Sequence, residues 1–433
     1  MKTMIISSNC SGGGKTTVTL GLMKALKNRG YDVQGYKVGP DYIDSGFHTE
    51  ITGNVSRNLD LHLMGEDGVK ASFSRGKGDL AVVEGVMGLY DGKGLTEECS
   101  TYSISKVLNN APIILVITPK AQSITLCAEI NGIKNFKDAN ISGVILNCIS
   151  ESYYNLLKSA IEMHCNLKVF GYIPKDEKLK LESRHLGLVQ SVEVGNLHEK
   201  IDYLAKLIEE NINLTEIIES FKEISKYDDN YHLENKNKKI AIAYDEAFRF
   251  YYKENIELLE EVGEVIYFSP LKDSKLPENI DFLYLGGGYP EVFKEELSKN
   301  TSMLKSIKQV LDNGLNCYAE CGGLMYLTEN IDGVDMVGFL KGNSEMTKRL
   351  NRFGYATVSL GDIRINCHEF HKSKVNLNEE AIYDVIKTSY TGEEIKWKCG
   401  YKKNNTLAGY PHVHFFGNLD FIKRLLKYDY WSG

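Results

Sequence analysis

The feature that most constrains this chain lies near its start. Ile5-Ile6-Ser7-Ser8 leads into Asn9-Cys10-Ser11-Gly12-Gly13-Gly14 and then into Lys15-Thr16-Thr17. An apolar strand, a glycine-rich turn and the opening of a helix, in that order, build a cradle for phosphate. The glycines let backbone N–H groups converge on anionic oxygens, and the helix start adds a positive field. Lys15 is placed to reach the outer phosphates of ATP, and the Thr16 hydroxyl to ligate Mg²⁺. Gly12, Gly13, Gly14 and Thr17 complete the loop and the helix start. Asn9 stands where the G-x-x-x-x-G-K-[ST] pattern has its first glycine, and asparagine enters left-handed backbone more readily than most residues, so the loop can close.

Such a loop needs a parallel sheet behind it. Strand-like runs at Met4–Ser8, Val33–Val38, Leu80–Glu84, Ile113–Thr118, Gly143–Asn147 and Val169–Ile173 alternate with helical patterns such as Thr16–Arg29 and Ser152–His164. The rhythm returns at Ile240–Tyr244, Val265–Phe268, Phe282–Leu285 and Leu315–Ala319. This predicts an α/β protein of two doubly wound domains. The polar stretch between the halves suggests a division into residues 1–225, a linker at 226–239, and 240–433. Composition narrows the function. With 51 basic against 58 acidic residues and a net charge of −7, a nucleic-acid partner is disfavoured. Apolar runs of about five residues fall far short of the roughly 20 a membrane helix needs. Met1–Ile6 enters a strand without the apolar stretch of a secretion signal. Nine cysteines without a CxxC pair fit reduced thiols, and so a cytoplasmic protein.

Phosphoryl transfer also needs acidic groups. Leu80-Ala81-Val82-Val83-Glu84 is an apolar strand ending in a carboxylate, which makes Glu84 a Mg²⁺ ligand candidate. Asp41 and Asp44 follow another strand and are candidates for the same metal; two helix caps are the plain alternative. Asn147, late in the domain, is placed to read an adenine edge, or to satisfy its own loop. In the second half, Ala319-Glu320-Cys321-Gly322-Gly323 reads as a strand, a cysteine, small residues and a helix. A tight strand-to-helix turn holds such a side chain out for nucleophilic attack. Cys317, by alternation, points into the sheet. Tyr410-Pro411-His412-Val413-His414 offers a base, with His412 and His414 on one face of an extended segment, one to react and one to orient. Gly287 and Gly288, after another strand, are candidates for an oxyanion hole. A zinc site from Cys367, His368, His371, His412 and His414 is a rival reading.

An ATP site in one half and a thiol nucleophile in the other suggest a glutamine-dependent amide synthetase. The chain resembles the cobyrinate a,c-diamide synthase family of cobalamin biosynthesis over essentially its whole length. The resemblance is carried by Gly39-Pro40-Asp41-Tyr42-Ile43-Asp44, Arg57-Asn58-Leu59-Asp60, Glu84-Gly85-Val86-Met87-Gly88-Leu89-Tyr90-Asp91-Gly92 and Ser183-Arg184-His185-Leu186-Gly187-Leu188-Val189. In the second half it is carried by Asp245-Glu246-Ala247-Phe248, Gly286 to Glu291, Ala319 to Gly323, and His368-Glu369-Phe370-His371. Pro411 replaces the β-branched residue usual before the histidine.

The resemblance implies a dethiobiotin-synthetase-like P-loop domain followed by a class I glutamine amidotransferase domain. It implies Cys321 as nucleophile and His412 as base, and it puts Glu84, Asp41 and Asp44 at the metal and catalytic acids. It further implies ATP, Mg²⁺, glutamine and a tetrapyrrole polycarboxylate, with ammonia passed along an enclosed route. Cationic groups must meet the polyanion, and Arg57, Arg184, His185 and the Lys175–Lys180 stretch are the candidates. Nickel–sirohydrochlorin or hydrogenobyrinate stand as alternative substrates. A P-loop nucleotide switch with an inert second domain is the alternative of another class. A homodimer is compatible with everything above.

Overall fold

A computed structural model describes residues 1–179 and 197–427. By internal packing the chain forms two units. The first is Met1–Leu61 with Val69–Asp229, and the second joins His62–Gly68 to the chain from Asn230 onward.

Among the described residues the first unit holds eight strands: β1 (Lys2–Ser8), β2 (Val33–Val38), β3 (Arg57–Leu59), β4 (Leu80–Glu84), β5 (Ile113–Ile117), β6 (Ile141–Ile149), β7 (Lys168–Pro174) and β8 (Lys222–Glu223). The order β3-β2-β4-β1-β5-β6-β7 is parallel throughout, and β8 pairs antiparallel with the start of β1. Every residue of β4 and β5 is buried, as expected of strands with helices on both faces. Helix α1 (Lys15–Asn28) lays Val18, Leu22, Met23 and Leu26 into a core with Met4, Ile6, Val82, Ile114 and Ile145. Its Gly21 admits the helix Leu197–Asn211 closely: a methyl there would sit 2.5 Å from Leu204 Cγ. From β1 the chain crosses over β4 to reach β2. The C-terminal ends of β1, β2 and β4 therefore share one edge, the place where open α/β sheets bind ligands.

The second unit begins as another parallel sheet. Its strands are β9 (Lys238–Ala243), β10 (Phe248–Phe250), β11 (Gly263–Phe268), β12 (Phe282–Leu285), β13 (Gly287–Gly288) and β14 (Asn316–Glu320). They continue as β15 (Asn330–Ile331), β16 (Val334–Asp335), β17 (Gly342–Met346), β18 (Arg352–Leu360), β19 (Ile363–His371), β20 (Ser373–Leu377), β21 (Ala381–Thr388), β22 (Glu394–Lys403), β23 (Thr406–Gly409) and β24 (His412–Val413). Ten of them pair as β11-β9-β12-β14-β23-β22-β21-β18-β19-β24. The first five are parallel and the rest antiparallel. The antiparallel strands are an addition to the rhythm read from the sequence. β18 shows the half-exposed alternation typical of them.

One consequence matters for chemistry. β23 and β24 are separated only by Tyr410 and Pro411, yet they lie far apart in the pairing order. Two linking residues span only a few ångströms each, so the antiparallel strands curl round and return β24 to the end of β14. There Val413 N–H donates to Glu320 Oε1 at 3.3 Å. Among the described residues no helix is long and apolar enough to cross a membrane.

Ile114 is wholly buried in the first unit's core. Ile114→Ala is expected to cost about 2–5 kcal/mol and to lower the unfolding temperature of the first unit, read by calorimetry. A midpoint within a degree of the parent would contradict the packing described.

Candidate functional site

In the first unit the loop after β1 is shaped by backbone rather than side chains. Gly12 and Gly14 take left-handed φ of 72° and 88°. Gly14 caps α1 without any side-chain hydrogen bond, which leaves the helix start for an external anion. A methyl on Gly13 would lie 2.1 Å from Ser8 Oγ, and one on Gly14 would lie 2.2 Å from Asn147 Nδ2. Asn147 therefore backs the loop, and it donates to Thr118 Oγ1 at 2.9 Å. Asn9, at the departing position, donates to Glu129 Oε1 at 2.6 Å. Lys15 Nζ reaches the carbonyls of Cys10 (2.9 Å) and Met87 (2.5 Å); burial, then Lys37, pull its pKa down. Thr17 follows in the first turn of α1.

Glu84, fully buried at the end of β4, is the hub. Its Oε1 accepts from Thr16 Oγ1 at 2.6 Å and from Lys37 Nζ at 3.1 Å, and its Oε2 meets His48 Nε2 at 2.7 Å. Lys37 and Glu84 are direct partners in the β2–β4 register. Lys37 also pairs with Asp44 at 2.8 Å. Burial alone would raise the Glu84 carboxyl; Lys37, His48 and Thr16 outweigh it and hold it well below the usual carboxylate range. Burial and the neighbouring Glu84 push Asp44 up to about 8. Asp41 caps the helix Tyr42–Thr52, its Oδ1 accepting from Ile43 N–H and Asp44 N–H at 2.8 and 2.9 Å. Thr16, Glu84 and Asp44 thus gather a hydroxyl and two carboxylates, the hard oxygen set that suits Mg²⁺ shared with phosphates. A cation there would relieve the crowding that raises Asp44.

Arg57, on β3, is 6% exposed and donates to the Arg75 carbonyl at 3.3 Å. Arg184, His185 and Lys180 lie outside the described residues, while Lys175 and Lys178 are exposed.

In the second unit Cys321 directly follows β14, with φ 47° and ψ −98°, a conformation L-residues rarely adopt. The turn is clamped by Cys321 N–H to the Gly409 carbonyl (2.8 Å) and Gly323 N–H to the Gly286 carbonyl (3.0 Å). Neighbouring backbone comes very near: a methyl on Gly322 would stand 3.0 Å from Gly288 N, and one on Gly323 would stand 2.2 Å from Leu285 O. The Gly287–Gly288 strand thus runs past the cysteine, with Tyr289 N–H bound to the Ala247 carbonyl at 2.9 Å.

His412 is buried on β24, in register with His368 and stacked on it at 5.0 Å. Burial would lower the His412 pKa; the charge and hydrogen bond of Cys321, with Glu320 behind, hold it at about 10. Burial and the neighbouring His412 keep His368 well below the usual imidazole range. His414 leaves the strand. Its Nε2 meets Glu254 Oε2 at 3.4 Å, and its Nδ1 accepts from Phe416 N–H at 3.2 Å. Asn255 fixes the segment between, donating to the Val413 carbonyl and accepting from Phe415 N–H. Cys317 is buried in the sheet, and burial raises its thiol far above the ordinary value.

The residues of the zinc reading face different partners. His371 lies between Glu369 (3.2 Å) and the Ser373 carbonyl (2.8 Å), and His414 turns to Glu254. No group of three or more His, Cys, Asp or Glu arranged to hold a metal occurs among the described residues. Sequence reading assigned no role to Lys37, His48 or Glu320, and read His368 only as a zinc ligand. A lysine inside an apolar strand was the available signal for Lys37.

Two family models match. Residues 4–189 fit the CobQ/CobB/MinD/ParA nucleotide binding domain, and residues 239–419 fit the CobB/CobQ-like glutamine amidotransferase domain. The chain is 64% identical to the cobyrinate a,c-diamide synthase of Clostridium acetobutylicum, over 99% of this chain and all of that protein. It is 62% identical to that of Clostridium tetani over the same shares. It is 42% identical to that of Caldanaerobacter subterraneus subsp. tengcongensis over 98% of each.

A methyl on Gly287 would lie 2.4 Å from His412 Cε1. Gly287→Ala is therefore expected to displace the imidazole and to cut glutamine hydrolysis about 10²-fold, the scale of a roughly 1 Å misplacement. Glutaminase activity equal to the parent's would show that His412 tolerates the shift.

Proposed function

Because the chain belongs to the cobyrinate a,c-diamide synthase family, we propose that it amidates the a and c carboxylates of cobyrinate, using ATP and the side-chain nitrogen of glutamine. The observation that carries this reading is the pairing of two sites in one chain. One is a phosphate cradle closed on Glu84 by Thr16 and Lys37. The other is a strained cysteine whose thiol faces His412.

A carboxylate has a poor leaving group and resists attack by ammonia. Transfer of the γ-phosphoryl group from ATP gives an acyl phosphate and ADP. In the cradle, the loop N–H groups and Lys15 orient the phosphates, and Lys37 keeps Glu84 ionised. Thr16, Glu84 and Asp44 would hold Mg²⁺, which when bound neutralises charge on the transferred group. Ammonia then displaces phosphate to form the amide.

The ammonia comes from glutamine. The Cys321 thiolate attacks the amide carbon while backbone N–H groups at Gly287–Gly288 face the developing oxyanion. His412 gives its proton to the departing nitrogen, and ammonia leaves. Water, giving a proton back to His412, then cleaves the glutamyl thioester to glutamate. His412, not His414, is the base in this reading, because His414 is occupied by Glu254 and Phe416 N–H.

The two sites separate cleanly in an assay. Cys321→Ser is expected to lower glutamine-dependent turnover by about 10³–10⁶-fold, as nucleophile deletions do, while high ammonium still yields product. Lys15→Ala is expected to abolish product from either nitrogen source. A serine variant that still used glutamine would remove Cys321 from the reaction. Full ammonium-dependent activity in Lys15→Ala would do the same for the cradle.

The substrate is decided by time-resolved mass spectrometry with ATP, Mg²⁺ and glutamine. Cobyrinate is expected to gain two amides through a transient monoamide, since a large rigid ring held in few poses presents few carboxylates to the phosphate site. Amidation beyond two groups, or a higher kcat/KM for nickel–sirohydrochlorin, would reassign the substrate.

A further inference from the structure

Resting on the glutaminase reading above, we propose that Glu320, the residue immediately before the nucleophile, is the group that positions and charges the His412 imidazole. His412 Nδ1 lies 3.7 Å from Glu320 Oε2, within ion-pair range. His414, two residues on, faces Glu254 and a backbone N–H instead.

Glu320 is built to serve as a fixed anion. It is 1% exposed, and each carboxylate oxygen is pinned. Oε1 accepts from Tyr318 Oη at 2.8 Å and from Val413 N–H at 3.3 Å. Oε2 accepts from Tyr284 Oη at 3.0 Å. The two tyrosine rings stack at 5.5 Å, so both hydroxyls are held by packing. A buried carboxylate carrying only neutral donors is costly; the charge that answers it is an imidazolium, and His412 is the cationic partner within range. The Val413 hydrogen bond ties the strand that carries His412 to the same carboxylate. One group therefore fixes both the position of the backbone and the state of the ring.

The chemical consequence follows from the two ring nitrogens. With Nδ1–H turned to Glu320, Nε2 is left to take the Cys321 proton and return it to the departing ammonia. A third group that holds the base in one tautomer and stabilises its cation is the recurrent logic of nucleophile–base pairs. Cys321, Glu320 and the stacked His368 face His412, and Tyr284 and Tyr318 bond to Glu320 behind it. His368 is held neutral by burial and by His412 itself, so it does not supply the opposing charge. Glu320 is a positioning residue, for it touches the base and not the substrate.

The test is Glu320→Gln in the full-length protein, assayed for glutamine hydrolysis across pH. The amide keeps the shape and loses the charge. The kcat is expected to fall by about two to four orders of magnitude, with KM for glutamine little changed. Because a carboxylate favours the imidazolium, its removal lowers the His412 pKa. The alkaline limb of kcat/KM, where the imidazolium is lost, is then expected to move to lower pH. The same shift is expected in the pH profile of Cys321 alkylation by iodoacetamide, followed on its own peptide by mass spectrometry. A role in packing alone would lower thermal stability without moving either limb. If Glu320→Gln does not fold, Glu320→Asp keeps the charge at a shorter reach, and an intermediate loss of kcat is expected with the alkaline limb retained. Parental kcat and unmoved limbs in the variant that folds would overturn the proposal. If Cys321→Ser itself still hydrolysed glutamine, the underlying glutaminase assignment would fall instead, so the two failures are distinguishable.

Discussion

Two carboxylates, each the last residue of a central parallel strand and each almost wholly buried, organise this molecule: Glu84 on β4 and Glu320 on β14. An ionised carboxylate cannot be taken out of water without partners, and the partners each one gathers are the residues of the site around it. Glu84 gathers Lys37, Thr16 and His48 from β2, α1 and the helix Tyr42–Thr52. Glu320 gathers Tyr284, Tyr318 and Val413 N–H from β12, β14 and β24. Sheet register does the gathering. Lys37 meets Glu84 because β2 and β4 pair in parallel at those two residues. Tyr284 pairs with Tyr318, which carries both rings to Glu320.

The electrostatic outcomes differ because the partners differ. Around Glu84 a lysine, an imidazole and a hydroxyl outweigh burial, and the carboxylate stays ionised while its neighbour Asp44 is pushed up to about 8. The site holds more acid than its own cations balance comfortably, which suits a centre that takes up a divalent ion with each nucleotide. In the second unit the order is reversed. Cys321 and Glu320 converge on a single imidazole and raise it to about 10. As the proposed base, His412 is held as a cation, the form that would donate a proton to departing ammonia.

Much of the first site was legible in the sequence, because its parts are local. A strand, a glycine loop and Lys15-Thr16 are consecutive, and the apolar run ending in Glu84 announces a buried strand with an acid at its edge. Cys321 was legible for the same reason. His48 was not, since a histidine in an ordinary helix carries no mark, and its meeting with Glu84 depends on how α2 (Tyr42–Thr52) folds over β2 and β4. The different partners of His412 and His414 were also beyond local reading. Alternation set both on one face, but the strand ends at Val413 and His414 instead receives the Phe416 N–H. The antiparallel strands were missed as a group. Neighbours such as β18 and β19 or β22 and β23 pair in hairpins, but the pairings that place the group, β18 with β21 and β19 with β24, are long-range, and it is the curl of the whole set that returns β24 to β14.

The strained turn at Cys321 shows why the glycines around it cannot be read as loop flexibility. A non-glycine residue held at φ 47° carries about 1–3 kcal/mol of backbone strain and persists only where its surroundings over-determine it. Here they do so from both sides. The Gly409 carbonyl holds the cysteine N–H, the Gly286 carbonyl holds that of Gly323, and Met325 N–H returns to the Cys321 carbonyl. The first two of those bonds require another chain segment to approach within backbone contact, and that approach is possible only where no side chain intervenes. Gly322 and Gly323 admit the Gly288 and Leu285 backbones, and Gly287 admits the His412 ring. The glycines are therefore the space into which base and backbone are packed, and the rigidity of the turn follows from their having no side chains.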